Sequence, residues 1–217
     1  MTRKERKKKR KTQTQNRKLV KKYYWLKPLS VWTGKPLDDY NYTYTELDCM
    51  PDGWRKAFGE MMIDEINESL KKHNQKNFMI HQIKEKYGEL RFYTNGCYED
   101  TQKIINKYSV ISRNVCLGCG KLDIPMIDDG WMSPVCYSCF YKGYRRREKY
   151  LKTKELKTED EIKEIYNKFI CDEPDENGEY LIPNSYKVNR FSNDGNKTIT
   201  YDISDTVKKL HERCGNK

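Results

Sequence analysis

Four of the eight cysteines stand in two C-x-x-C pairs, Cys116-Leu117-Gly118-Cys119 and Cys136-Tyr137-Ser138-Cys139, with sixteen residues between the pairs. Two such pairs at this distance belong to the spacing class of four-thiolate zinc sites. Gly118 and Gly120 let the chain curl, so that backbone N–H groups point at the first two sulfurs. A single pair would leave a redox dithiol open; two favour one structural Zn²⁺, held by Cys116, Cys119, Cys136 and Cys139. With every ligand position filled by sulfur, no position is left for a catalytic water. Cys49, Cys97, Cys171 and Cys214 show no pairing spacing and read as free thiols in a reducing cytoplasm.

Catalytic groups are harder to find. An HNH-type nuclease sets a histidine beside such a finger, but His73, His81 and His211 all lie far from the finger cysteines in sequence. There is no phosphate loop and no H-E-x-x-H. Glu85 and Glu89 flank a turn, where solvated carboxylates are ordinary. The expectation is a binding protein, with a nuclease as a minor alternative.

Charge supplies the candidate binding groups. The net charge is +11, and residues 1–22 hold twelve Lys/Arg against one acid, Glu5. The other 195 residues carry 31 bases and 31 acids and are neutral. A like-charged block of this kind is expected to stay disordered until it meets an anion. Lys7, Lys8, Lys9, Arg10 and Lys11 are its densest run and the candidate phosphate contacts; a solubilising tail is the plainer alternative. A second basic cluster follows the finger: Lys142, Arg145, Arg146, Arg147 and Lys149, with Glu148 the one acid among them. A basic helix anchored by zinc is a phosphate-binding design; a solvated helix face is the alternative. Nucleic acid, DNA or RNA, is therefore the expected partner. A host protein meeting the acidic stretch 172–180 or the C-terminal hairpin is the second reading.

The elements that must position these groups follow from periodicity. Hydrophobic residues make up 36% of the chain and mean hydropathy is −1.04, so small cores are expected, helped by a metal. No stretch is apolar enough for a membrane span, and no apolar segment follows the basic N-terminus to form a secretory signal. Residues 23–52 read as an irregular arm whose aromatics anchor on a core or stack on bases. Trp54, Phe58, Met61, Met62, Ile66 and Leu70 step by three or four and predict a helix over 54–72, with Asp52 as N-cap. Strands at 78–86 and 89–95 around Tyr87-Gly88 and a helix over 101–113, capped by Asp100 or Thr101, complete an α+β unit.

Two short strands around Asp129-Gly130 are expected between the cysteine pairs, with a helix after Cys139. Thr158-x-x-Glu161 announces a helix over 159–170. A hairpin at 185–203 turning at Asn193-Asp194-Gly195-Asn196, and a short helix from about Ser204 to Arg213, close the chain. The predicted class is α+β: a disordered basic arm (1–22), a helix–hairpin–helix unit (23–113), a four-cysteine treble-clef-like zinc finger with its basic helix (114–155), and a helix plus β-hairpin extension (156–217).

Residues 25–139 carry Trp32-Thr33-Gly34, the run from Tyr42 to Asp48, the run Met50-Pro51-Asp52-Gly53-Trp54, the hairpin from Gln82 to Tyr93, and Gly130-Trp131 before the second cysteine pair. In these the chain resembles uncharacterised bacteriophage and prophage proteins of low-GC Gram-positive bacteria. That resemblance implies a phage-encoded accessory protein in the bacterial host cytoplasm, and carries no activity with it. The finger alone is similar to GATA-type DNA-binding fingers through Trp131 and the run Cys136 to Tyr144, with one residue fewer between the pairs.

Overall fold

The structure is a computed structural model that describes residues 2–30, 32–35, 37–152, 156–192 and 195–215. It is a mixed α+β chain with small antiparallel strand pairs and no larger sheet among the described residues.

The basic N-terminal segment is not disordered. Arg3–Lys22 forms one helix, α1, opened by a reciprocal capping box between Thr2 and Glu5. Its second half supplies the reason it folds. Asn16 is buried and donates to the Tyr42 carbonyl at 3.2 Å, Gln13 donates to the Asn41 carbonyl at 2.9 Å, and Leu19 and Val20 pack against the core. Arg17 lies over the Tyr42 ring, and Lys22 pairs with Asp64 at 2.8 Å. These contacts nucleate a helix that charge alone would oppose.

The segment that follows is irregular apart from two short turns, Tyr24–Leu26 and Glu46–Cys49. Its aromatics divide. Tyr23 and Trp25 are buried, Trp25 edge-on to Phe78 at 5.4 Å, whereas Trp32 is exposed.

Asp52–Trp54 (α2) opens a helix that runs through a π-helical turn, Arg55–Gly59, into Glu60–Lys72 (α3). Pro51, not Asp52, is the N-cap, and no side chain caps it. The Gly53 N–H, an orphan donor in any helix start, is satisfied instead by the Leu117 carbonyl at 2.8 Å. Ile80–Lys86 (β1) and Glu89–Thr94 (β2) pair antiparallel, Ile83 opposite Phe92. Tyr87 and Gly88, both at positive φ, make the tight two-residue turn.

Glu99–Ser112 (α4) covers the inner face of that hairpin; Ser112 Oγ accepts from the Leu90 N–H at 2.9 Å. Neither Asp100 nor Thr101 caps α4, whose N-cap is Tyr98. Thr101 is buried against Ser69 and shares a hydrogen bond with it at 2.8 Å.

Met126–Asp128 (β3) and Met132–Pro134 (β4) form the short pair between the cysteines, and Tyr137–Leu151 (α5) follows with Cys136 as N-cap. Glu159–Phe169 (α6) has the capping box Thr158/Glu161. It packs on α5 through Tyr166 and Phe169 against Phe140. Ser185–Ser192 (β5) and Gly195–Asp202 (β6) pair antiparallel; Asn193 and Asp194, expected at their turn, lie outside the described residues. Ser204–Cys214 (α7) follows, with Gly215 as its C-cap.

The core differs from the expectation of several small ones. One main cluster joins Trp25, Trp54, Phe58, Met62, Ile66, Phe78, Leu90 and Tyr108 to Ile182, Val207 and Leu210 from the C-terminal segment. A second, small cluster surrounds the cysteines, with Ile124. Burial is achieved by amphipathic faces drawn from most of the chain's length. Polar ties across it include Lys107 to Thr206 at 2.9 Å, Tyr186 OH to the Lys103 carbonyl at 2.9 Å, and Arg213 with Glu60 at 3.0 Å.

Candidate metal centre and basic surfaces

The four paired cysteines come from two places. Cys116 and Cys119 sit on a loop closed by an antiparallel bridge between Val115 and Leu122, while Cys136 and Cys139 belong to the cap and first turn of α5. Their Sγ atoms all lie within 4.8 Å of one another, with Cys119 and Cys136 3.6 Å apart. This cluster could hold a metal ion.

Backbone N–H groups converge on the first sulfur. Cys136 N–H donates to Cys116 Sγ at 3.3 Å, and the N–H groups of Cys119 and Gly118 also point to it. The Cys136 thiol, followed by these backbone donors, holds the Cys116 thiol well below the ordinary cysteine value, against the upward push of burial. Donating to Cys116 pushes Cys136 the other way. A Cβ on Gly118 would stand 3.1 Å from Cys139 Sγ, a tight contact. Cys116 and Cys136 are buried; Cys119 and Cys139 are half-buried.

The cysteine loop is clamped to the rest of the molecule. Trp54 Nε1 donates to the Val115 carbonyl at 2.7 Å and Lys56 Nζ to the Cys119 carbonyl at 3.2 Å. On the other side, Cys171 N–H donates to the Met126 carbonyl at 3.1 Å and Tyr166 OH to the Val135 carbonyl at 2.9 Å. Trp131 stacks on Tyr87, ring centres 6.0 Å apart, joining the tips of the two hairpins. A groove of about 830 Å³ adjoins the cluster, touching Lys56, Cys119, Lys121 and Arg213. Most of its cations are already committed: Arg55 to Asp48, Arg213 to Glu60, and Lys56 to the loop.

His211 is the residue that sequence distance concealed. Its Nε2 lies 3.2 Å from Asp123 Oδ2, four positions beyond Cys119, while Asp123 Oδ1 accepts from the Ile182 N–H at 2.9 Å. Asp123 thus ties α7 and residue 182 to the segment that carries Cys116 and Cys119. His73 is elsewhere, stacked on Tyr98 and paired with Asp100. No local signal marks either pairing.

The basic candidates separate by what they touch. Arg3, Arg6, Lys7, Lys9, Arg10 and Lys11 are exposed on the undocked half of α1. Lys8 lies in the same helix; its side chain is outside the described residues. On α5, Lys142, Arg146, Arg147 and Lys149 are exposed. Arg145 is not part of that set. Its Nε donates to Tyr141 OH at 3.1 Å and its Nη1 to Glu148 Oε2 at 2.8 Å, with the guanidinium over the Tyr141 ring. Glu148 is itself buried and accepts from the Lys157 N–H at 3.0 Å. Arg145 therefore belongs to the joint between α5 and α6. The signal was present in the sequence: an acid three residues on, with Tyr at four residues back, marks a helical side-chain cluster.

No helix among the described residues is long and apolar enough to cross a membrane. The chain matches no family model, no curated protein and no solved structure.

Proposed function

We propose that this is a nucleic-acid-binding protein of the bacterial cytoplasm whose finger is held together by one structural zinc ion. The metal reading rests on donor chemistry and spacing. Zn–S bonds of about 2.3 Å in a tetrahedron put sulfurs about 3.8 Å apart, and the Cys119–Cys136 separation is 3.6 Å. Four sulfurs fill a closed site, so the ion holds the fold and supplies no reactive water. A looped cysteine pair, a short hairpin and a helix carrying the second pair follow the order of a treble clef.

The observation that carries the functional reading is the free half of α1. Over residues 3–11, eight of nine side chains are Lys or Arg, and those described are exposed. At 1.5 Å per residue this half is about 14 Å long. Like charges at this density destabilise a bare helix, and a polyphosphate backbone removes the repulsion. The docked half fixes the helix to the core, so part of the ordering cost is met before binding.

Fluorescence anisotropy with labelled DNA and RNA probes at two salt concentrations tests the reading. The full chain should bind with a steep salt dependence, and removal of residues 1–11 should flatten it, each lost duplex phosphate contact taking roughly 0.9 from the log–log slope. An unchanged slope, or no binding to either polymer, overturns it. Selective capture of an acidic protein would then favour the host-protein reading.

A further inference from the structure

Helix α5 carries an unexplained glycine. Gly143 sits in the interior of a fifteen-residue helix, where glycine lowers stability relative to alanine. Nothing among the described residues requires it: its φ is not in the left-handed region, and a Cβ there would point into open space beyond its own helix. A glycine that neither turns the chain nor relieves a clash leaves the backbone open to close approach from outside.

What surrounds it points to the visitor. Residues at i, i+3, i+4 and i+7 share one helix face, and from Gly143 these are Arg146, Arg147 and Tyr150. Arg146 and Arg147 are exposed and have no acidic partner among the described residues, unlike Arg145 on the opposite flank. Tyr150 is 84% exposed, whereas the inward aromatics Tyr141 and Phe140 pack on Tyr137 and on α6. Lys142 and Lys149 border the stripe.

We propose that the stripe Gly143–Arg146–Arg147–Tyr150 seats a nucleic-acid strand with an unpaired base. This rests on the nucleic-acid reading above and adds a second site to it, distinct from α1. The sugar–phosphate backbone passes over Gly143, nearer the helix axis than any side chain would allow. Arg146 and Arg147 take successive phosphates through their guanidinium forks. The Tyr150 ring stacks on the base, a contact every base can make and a paired base inside a duplex cannot. Charge alone would suit an acidic peptide; the bare glycine beside a fully presented ring suits a strand.

The test uses the full chain, a labelled twelve-nucleotide single strand and a blunt duplex of the same sequence. Gly143→Ala should raise the melting temperature while weakening single-strand affinity several-fold, and Gly143→Leu should weaken it further. Tyr150→Ala should cost about tenfold, and Tyr150→Phe should retain affinity. Duplex binding, dominated by α1, should move less than twofold in all four variants. Wild-type affinity for the single strand in both Gly143→Leu and Tyr150→Ala overturns the inference and leaves the α1 reading standing. Binding confined to the duplex also overturns it. If the wild-type chain binds neither probe, the parent reading falls and this one with it.

Discussion

Gly53 and Gly120 meet backbone to backbone: a Cβ on Gly120 would stand 2.6 Å from the Gly53 carbonyl oxygen, and one on Gly53 would stand 2.7 Å from the Gly120 nitrogen and collide with the Cys116 carbonyl oxygen. The start of α2 is thus pressed into the cysteine loop, and the Gly53 N–H is capped by Leu117 from the same loop. Gly53→Ala should therefore destabilise the protein by about 3 kcal/mol or more, since backbone on both sides must shift. Urea unfolding measures the loss, and metal content should fall with it. A variant as stable as wild type would show that the contact is looser than the structure has it.

Protein purified without chelators should contain one zinc per chain by elemental analysis. Cys119→Ser should lose it and unfold the segment around residues 114–136, because metal binding to such a site is folding free energy, on the order of 10 kcal/mol in small finger peptides. Retention of a full equivalent of zinc by the variant would contradict four-sulfur ligation.

The two halves of α1 should answer differently to truncation. Removing residues 1–11 should leave the thermal transition in place. Removing residues 1–22 should lower it, since Asn16, Leu19 and Val20 go with them. Asn16→Ala alone should cost about 1–2 kcal/mol by stranding the Tyr42 carbonyl. Equal stability of the two truncations would mean that the second half does not dock.

Acid should release α1 before it unfolds the core. Burial pushes the Asp64 carboxyl up, but hydrogen bonds from Lys22 and Tyr23 outweigh it and hold it below the ordinary carboxylate value. A depressed carboxylate stabilises the fold above its unfolded pKa, about 3.9, and that contribution disappears as pH falls through the lower folded value. Limited proteolysis with an acid-active protease should find residues 3–22 increasingly cleavable below about pH 4. Asp64→Asn should show the cleavage at neutral pH. A pH-independent pattern in the wild-type protein would remove Asp64 from the latch.

Neighbouring arginines on α5 should separate cleanly. Arg145→Ala should lower the melting temperature by loosening the joint with α6, as Glu148 loses a charged hydrogen-bond partner. Arg146→Glu should leave stability nearly unchanged and weaken nucleic-acid binding at low salt. If the two substitutions have the same profile, the division drawn between them is wrong.

Much of this protein is local and therefore visible in the sequence. The stepping apolar residues from Trp54 to Leu70, the capping box at Thr158 and Glu161, the turn at Tyr87-Gly88, and the paired C-x-x-C spacing all act within a few residues, where helix and strand geometry tie sequence distance to spatial distance. The helix at the N-terminus was also partly written there, since Thr2-x-x-Glu5 is the same capping signature as Thr158-x-x-Glu161. Charge density argued the other way, and the residues that decide the matter, Asn16 and Leu19, have partners more than twenty positions off or in the core. Only the tertiary structure brings His211 to Asp123 and presses Gly53 onto Gly120, because each is a contact between elements whose relative placement is set by how their apolar faces share one core, and a single residue's type carries no record of that placement.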